Sequence, residues 1–125
     1  MATFNATYNA ECAPDDSVRT FTWAGLATNG DVGDMQSLPA YSEKTFTATG
    51  TFTGAPTVAL QGSNDGINWF PVKNKQGTPI TFTAAGMDTA QDRPLFVRPT
   101  LSAGTGGAAI TVICAAHKFS LPGRF

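Results

Sequence analysis

Charge is scarce in this chain of 125 residues: only 14% are Asp, Glu, Lys or Arg, and the formal net charge is −1. That balance disfavours nucleic acid as a ligand, because binding phosphates needs a surplus of Lys and Arg. Histidine occurs once, as His117. A hydrolytic triad needs a base held beside a nucleophile and an orienting partner, and a lone imidazole in the C-terminal segment is poorly placed for it. Cysteine occurs twice, and Cys12 and Cys114 lie near opposite ends. One disulfide is open to them. However, no apolar stretch precedes the first basic residue, Arg19, so no secretory signal is read, and synthesis in the cytoplasm predicts reduced thiols. Cys12, Cys114 and His117 lack the paired C-x-x-C spacing of zinc sites, so neither metal nor cofactor is expected. The longest uncharged run, 99–116, is broken by Ser, Thr and Gly and predicts no membrane span.

What is present is β structure. No stretch carries a helical period, whereas 13 glycines and 8 prolines punctuate short runs of alternating polarity. Thr57 to Lys73 is the clearest hairpin. Val58 and Leu60 alternate with Thr57, Ala59 and Gln61, and Gly62-Ser63-Asn64-Asp65-Gly66 supplies residues suited to a reversal. Ile67, Trp69, Phe70 and Val72 are expected to return as the second strand. Phe46, Ala48, Gly50 and Phe52 oppose a row of threonines from Thr45 to Thr53, the pattern of a strand with one wet face. Phe21, Trp23 and Gly25 are expected to point inward from a strand beginning at Val18. Leu95, Val97 and Leu101 alternate with Phe96, Arg98 and Thr100, which places Arg98 outward, and Pro99 is read as an edge or a strand end. Ala108 to Ala116 is apolar on both faces and predicts a strand covered on both sides, or a self-association surface for a dimer or trimer.

The pattern predicts an all-β fold, a single jelly-roll-like β-sandwich of seven to eight short antiparallel strands. Residues 18–117 form the domain, 1–17 an N-terminal arm and 118–125 a C-terminal tail. The two halves differ in charge, with six acids and two bases in 1–62 (net −4) against three acids and six bases in 63–125 (net +3). That asymmetry hints at charge-guided packing between copies.

Candidate sites are few. Asp65 offers one carboxylate where calcium wants six to eight oxygens, so Ser63 to Gly66 reads as an Asx-type turn. Gly-rich 102–107 lacks the Lys and helix of a phosphate loop. Trp23 and Trp69 alternate within strands and are expected in the core, leaving loop-borne Tyr41 as the better candidate for an exposed aromatic. The arms carry Phe4, Tyr8, Phe119, Leu121 and Phe125 outside any strand period. With Tyr41, these are the candidate partner-binding residues.

The turn GSNDGINW (62–69), the strand Arg98-Pro99-Thr100-Leu101, the hairpin SAGTGGAAITV (102–112) and the Thr/Gly/Ala-rich composition together resemble small structural proteins of tailed bacteriophages. Head decoration (cement) proteins are the particular resemblance, and it covers about the last half of the chain. It implies a jelly-roll or sandwich that is not an enzyme and binds the outer surface of the capsid in many copies. Its partner is the major capsid protein, whose neighbouring subunits it cements against the pressure of the packaged DNA. Similar strand-and-turn patterns occur in tail-associated β-domains. The alternatives are therefore a carbohydrate-binding module on a tail or fibre, using Tyr41 and other loop aromatics, and a tail or neck adaptor.

Overall fold

In a computed structural model of the chain, residues 3–4, 6–9, 18–37 and 43–117 are described. Among them are twelve strands and no helix: β1 (Thr3–Phe4), β2 (Thr7–Asn9), β3 (Val18–Leu26), β4 (Val32–Gly33), β5 (Gln36–Ser37), β6 (Glu43–Thr51), β7 (Thr57–Ser63), β8 (Phe70–Pro71), β9 (Thr81–Phe82), β10 (Gly86–Thr89), β11 (Phe96–Ser102) and β12 (Ala109–His117). One sheet runs β10-β6-β12-β3-β2. The other runs β1-β4-β11-β7-β8, with β5 also on β11 and β9 also on β7. Taking β4 with β5, and β8 with β9, as interrupted strands leaves eight principal positions, ordered 3-12-6-10 in one sheet and 4-11-7-8 in the other. That order is the double Greek key of a jelly roll. Every pairing is antiparallel except β1 on β4.

The core lies between the sheets and follows the period of two. Phe46 and Ala48 on β6, Val58 and Leu60 on β7, Val97 and Leu101 on β11, and Ile110, Val112 and Cys114 on β12 are all buried. Each large apolar side chain so placed contributes roughly 1.5–3 kcal/mol. The outer row of β12, with Thr111, Ile113 and Ala115, is half-buried, since β12 is flanked by β6 and β3 at the sheet centre. Lys44 also points inward and is 1% exposed, a position its charge concealed.

Three local expectations are corrected. Gly25 does not face the core. The β3–β12 register shifts between Ile110↔Leu26 and Val112↔Trp23, so β3 has one extra residue and Leu26 joins Trp23 inside. Gly25, at φ 86°, takes the backbone conformation that such a bulge requires. Pro99 is neither an edge nor an end but sits within β11, opposite Leu60 of β7. The Leu60 N–H donates away from β11, to the Ile80 carbonyl. The nitrogen of Pro99 therefore faces the break between β4 and β5, where no ladder bond is demanded of it. Finally, part of the segment read as an arm is paired: β1 extends one sheet and β2 the other, covering two edges with one short stretch of chain. Backbone pairing of two or three residues leaves no period to detect.

The crossing between β1 and β2 is tied down by one carboxylate. Asp34 Oδ1 accepts from the Trp23 indole N–H at 2.9 Å and from the Ala6 N–H at 2.8 Å. The indole also reaches the Asp34 carbonyl at 2.9 Å. Nearby, the buried Asp31 accepts from the Ala27 and Thr28 amides at 3.0 and 2.9 Å and closes the turn after β3.

Candidate functional site

At one end of the sandwich the chain reverses after β7 through a turn held by side chains. Ser63 Oγ accepts from the Asp65 and Gly66 amides at 3.2 and 2.8 Å and donates to Asp65 Oδ1 at 2.8 Å. Asp65 Oδ1 accepts from the Ile67 and Asn68 amides, each at 2.8 Å, while Oδ2 takes the Asn68 side-chain amide at 2.8 Å. The backbone N–H groups of Asn68 and Ile67, with the Ser63 hydroxyl and Asn68 amide, hold this carboxyl well below the usual range. Gly66, at φ 77°, supplies the left-handed residue. The turn is thus fixed by its own polar groups, as the Asx reading anticipated.

Fixing this turn presents apolar side chains to solvent. Ile67 is 79% exposed and Met35 48%; Leu95, expected inward from its alternation, is 43% exposed because it precedes β11, which begins only at Phe96. A Cβ on Gly66 would lie 3.5 Å from the Met35 Sδ and Cε atoms, so Met35 rests against the turn. The Leu95 amide donates to Asn64 Oδ1 at 3.0 Å, which draws the loop before β11 to the same place. Trp69 is not a core residue, contrary to its strand-like spacing. It is partly exposed because the stapled turn consumes residues 64–69 and the returning strand is only Phe70–Pro71. The Arg98 guanidinium lies 4.0 Å from the centroid of the Trp69 ring and donates from Nε to Gln61 Oε1 at 3.0 Å. The outward placement of Arg98 agrees with its alternation.

Beside the turn a cleft of about 500 Å³ is lined by Gly62 and Ser63 to Asp65, by Asn68, and by Phe70 to Val72, with Asp92 to Pro94 as its far wall. Pro94 packs on the backbone of Gly62, where a Cβ would meet its Cγ at 2.6 Å. The far wall is held by Asp92 Oδ2, which accepts from the Lys73 amide at 2.9 Å, and by the Gln91 amide on the Lys73 carbonyl at 2.7 Å. Phe70 is 68% exposed at the rim. Glu43 lies 3.4 Å from Lys75 and 3.9 Å from Arg93, exposed pairs that add little stability.

Of the candidate contact residues, Phe4 and Tyr8 fall on β1 and β2 at opposite sheets. Tyr41, Phe119, Leu121 and Phe125 lie outside the described residues, as does Cys12. Cys114 is a free, fully buried thiol whose titration burial pushes up to about 12. His117 ends β12 on the exposed side. Cys114 and His117 therefore do not converge on a common ligand, and no group of metal-binding side chains occurs among the described residues. Sequence reading missed the cleft and the apolar cluster because each joins 62–72 to residues about thirty positions away in sequence, Met35 on one side and 92–95 on the other.

No known family matches the sequence, and no curated protein matches it either. Among solved structures the chain is similar to the SPBc2 prophage-derived protein YomS, with TM-score 0.56 and 11% identity over 79% of this chain and 93% of that one. A substrate complex of iron(II) HppE gives TM-score 0.48 at 11% identity, over 89% of this chain but 53% of that one. A cupin domain from Bordetella pertussis gives 0.41 at 11% identity, over 96% and 99%. The last two likenesses are loose, and what the first shares is the fold.

Proposed function

We propose that the protein is a structural component of a tailed-phage particle, set in many copies on the outside of the head and tying neighbouring major capsid subunits together. The observation that carries this reading is the gathering of Met35, Ile67 and Leu95 around one stapled turn, next to the Trp69–Arg98 pair. Exposed apolar side chains that cluster on a rigid support, with aromatic and Arg neighbours, are the make-up of a protein-docking surface. Because the turn is already ordered, docking forfeits little chain entropy there. The fold likeness to a prophage-derived protein favours a phage particle as the setting. Modest affinity per copy suffices, since several contacts with a repeating lattice reinforce one another through effective concentration.

Phe4, Tyr8, Tyr41, Phe119, Leu121 and Phe125 are assigned to secondary contacts with the shell. A second copy, in a dimer or trimer, supplies a further one. Electron cryomicroscopy of particles made with and without the protein tests the reading. External knobs on the head that vanish in its absence support it, whereas density lost from the tail alone contradicts it.

A further inference from the structure

We propose that the cleft between the 63–68 turn and the Asp92-Arg93-Pro94 loop binds a pyranose unit of a glycan, a site distinct from lattice docking. The floor is apolar and firm: Val72 is buried, Pro94 lies on the backbone of Gly62, and Pro71 flanks them. At the rim, Phe70 leaves 68% of its surface in water although a fully buried phenylalanine would stabilise the fold. The electron-rich face of an aromatic ring attracts the polarised C–H groups on one face of a sugar ring.

The same cleft carries Asn64, Asn68, Asp65, Asp92 and Arg93. Planar amides, carboxylates and guanidinium bind adjacent hydroxyls in pairs, as donors and acceptors set side by side. Apart from the largely exposed Arg93, these groups are anchored before any ligand arrives. Asp65 is fixed by four hydrogen bonds within its turn, Asn64 is held through Oδ1 by the Leu95 amide, and Asp92 is held through Oδ2 by the Lys73 amide. Among the described residues this leaves the Asn64 Nδ2 donors and Asp92 Oδ1 for a ligand. The volume, about 500 Å³, falls within the range of small-molecule sites. A wholly apolar ligand would strip water from these polar groups and leave them unpaired. Polyphosphate would meet two carboxylates against one guanidinium. A ring with one apolar face and a girdle of hydroxyls satisfies both halves of the cleft.

The test is an amide-resolved NMR titration of the full chain with methyl glycosides of glucose, galactose, mannose and N-acetylglucosamine at millimolar concentrations, repeated on Phe70→Ala and on Met87→Ala, which lies on β10 of the other sheet. Both side chains are largely exposed, so neither variant removes core packing. The expected result is saturable shifts confined to 62–72 and 92–95 with at least one glycoside. In Phe70→Ala the affinity falls about tenfold or more, while Met87→Ala stays within twofold of the parent. Three outcomes overturn the proposal: no glycoside moves these amides, Phe70→Ala binds as well as the parent, or a proline- and aromatic-bearing peptide saturates the cleft where the glycosides do not. Head attachment of Phe70→Ala, scored separately, leaves lattice docking to be judged on its own.

Discussion

Arg98 and Trp69 form a stacked pair on the outer face of the β7–β11 sheet, with the guanidinium carbon 4.0 Å from the ring centroid. The two residues come from different chain segments, and their contact joins the stapled turn to β11. A half-buried pair of this kind is worth about 0.5–1 kcal/mol. Arg98→Ala should therefore lower the melting temperature by only a few degrees while changing the fluorescence of Trp69. Trp23, fully buried, supplies a constant background. An unchanged emission spectrum would mean that the stacking does not persist in solution.

Asp34 is the joint between the N-terminal strands and the sandwich. Asp34→Ala deprives the Ala6 amide of its acceptor and leaves the Trp23 indole with the Asp34 backbone carbonyl alone, at a cost of about 1–3 kcal/mol. Denaturant melts should show this loss, and amide exchange at residues 6–9 should speed up. Asp34→Asn keeps an acceptor oxygen and should recover much of the stability. Equal stability of all three proteins would deny the N-terminal strands a structural role.

Two buried groups make alkaline stability a two-signed quantity. Burial raises Cys114 from 9.0 to about 12, so between those values the folded chain retains a proton that the unfolded chain has lost. Its contribution is complete below pH 9.0 and declines as pH rises towards about 12. For Lys44, burial is the larger influence and lowers its titration from 10.5, so the unfolded chain holds the extra proton. Its contribution grows as pH rises to 10.5 and is lost again on lowering the pH through the folded value. Urea midpoints recorded from neutral pH to 10.5 should fall more gently for Cys114→Ala than for the parent, and more steeply for Lys44→Met. Native Cys114 should also resist alkylation until the chain unfolds. Rapid labelling under native conditions would contradict its burial.

Gly33, at the end of β4, is packed between Trp23 of the opposite sheet and Pro99 of the neighbouring strand. A Cβ there would stand 2.5 Å from Trp23 Cδ1 and 2.7 Å from Pro99 Cδ. Gly33→Ala should destabilise by about 1–3 kcal/mol through overpacking, and thermal melts read the change directly. A neutral substitution would show that Trp23 and Pro99 give way freely.

The sequence disclosed those elements whose faces differ in polarity. Strands β6, β7, β11 and β12 were legible because Phe46, Leu60, Val97 and Val112 alternate with polar or half-buried neighbours. The jelly-roll class followed from their number and spacing. Trp69 was misplaced because alternation alone does not register that Ser63 and Asp65 tie up the following residues in a turn. Pro99 was misread because a proline is excluded from a ladder only where its neighbour demands a donor, and the gap between β4 and β5 demands none. The cleft was invisible because its walls meet only after β7, β8 and the loop before β11 have been assembled.

The central claim is that the end of the sandwich bearing Ile67, Leu95 and Met35 docks on a capsid lattice. Its most direct test adds purified protein back to phage heads assembled without it and counts bound copies by quantitative gel densitometry. Ile67→Asp with Leu95→Asp, both at exposed positions, should fold like the parent by circular dichroism yet lose nearly all binding. Full occupancy by this double variant would contradict the account.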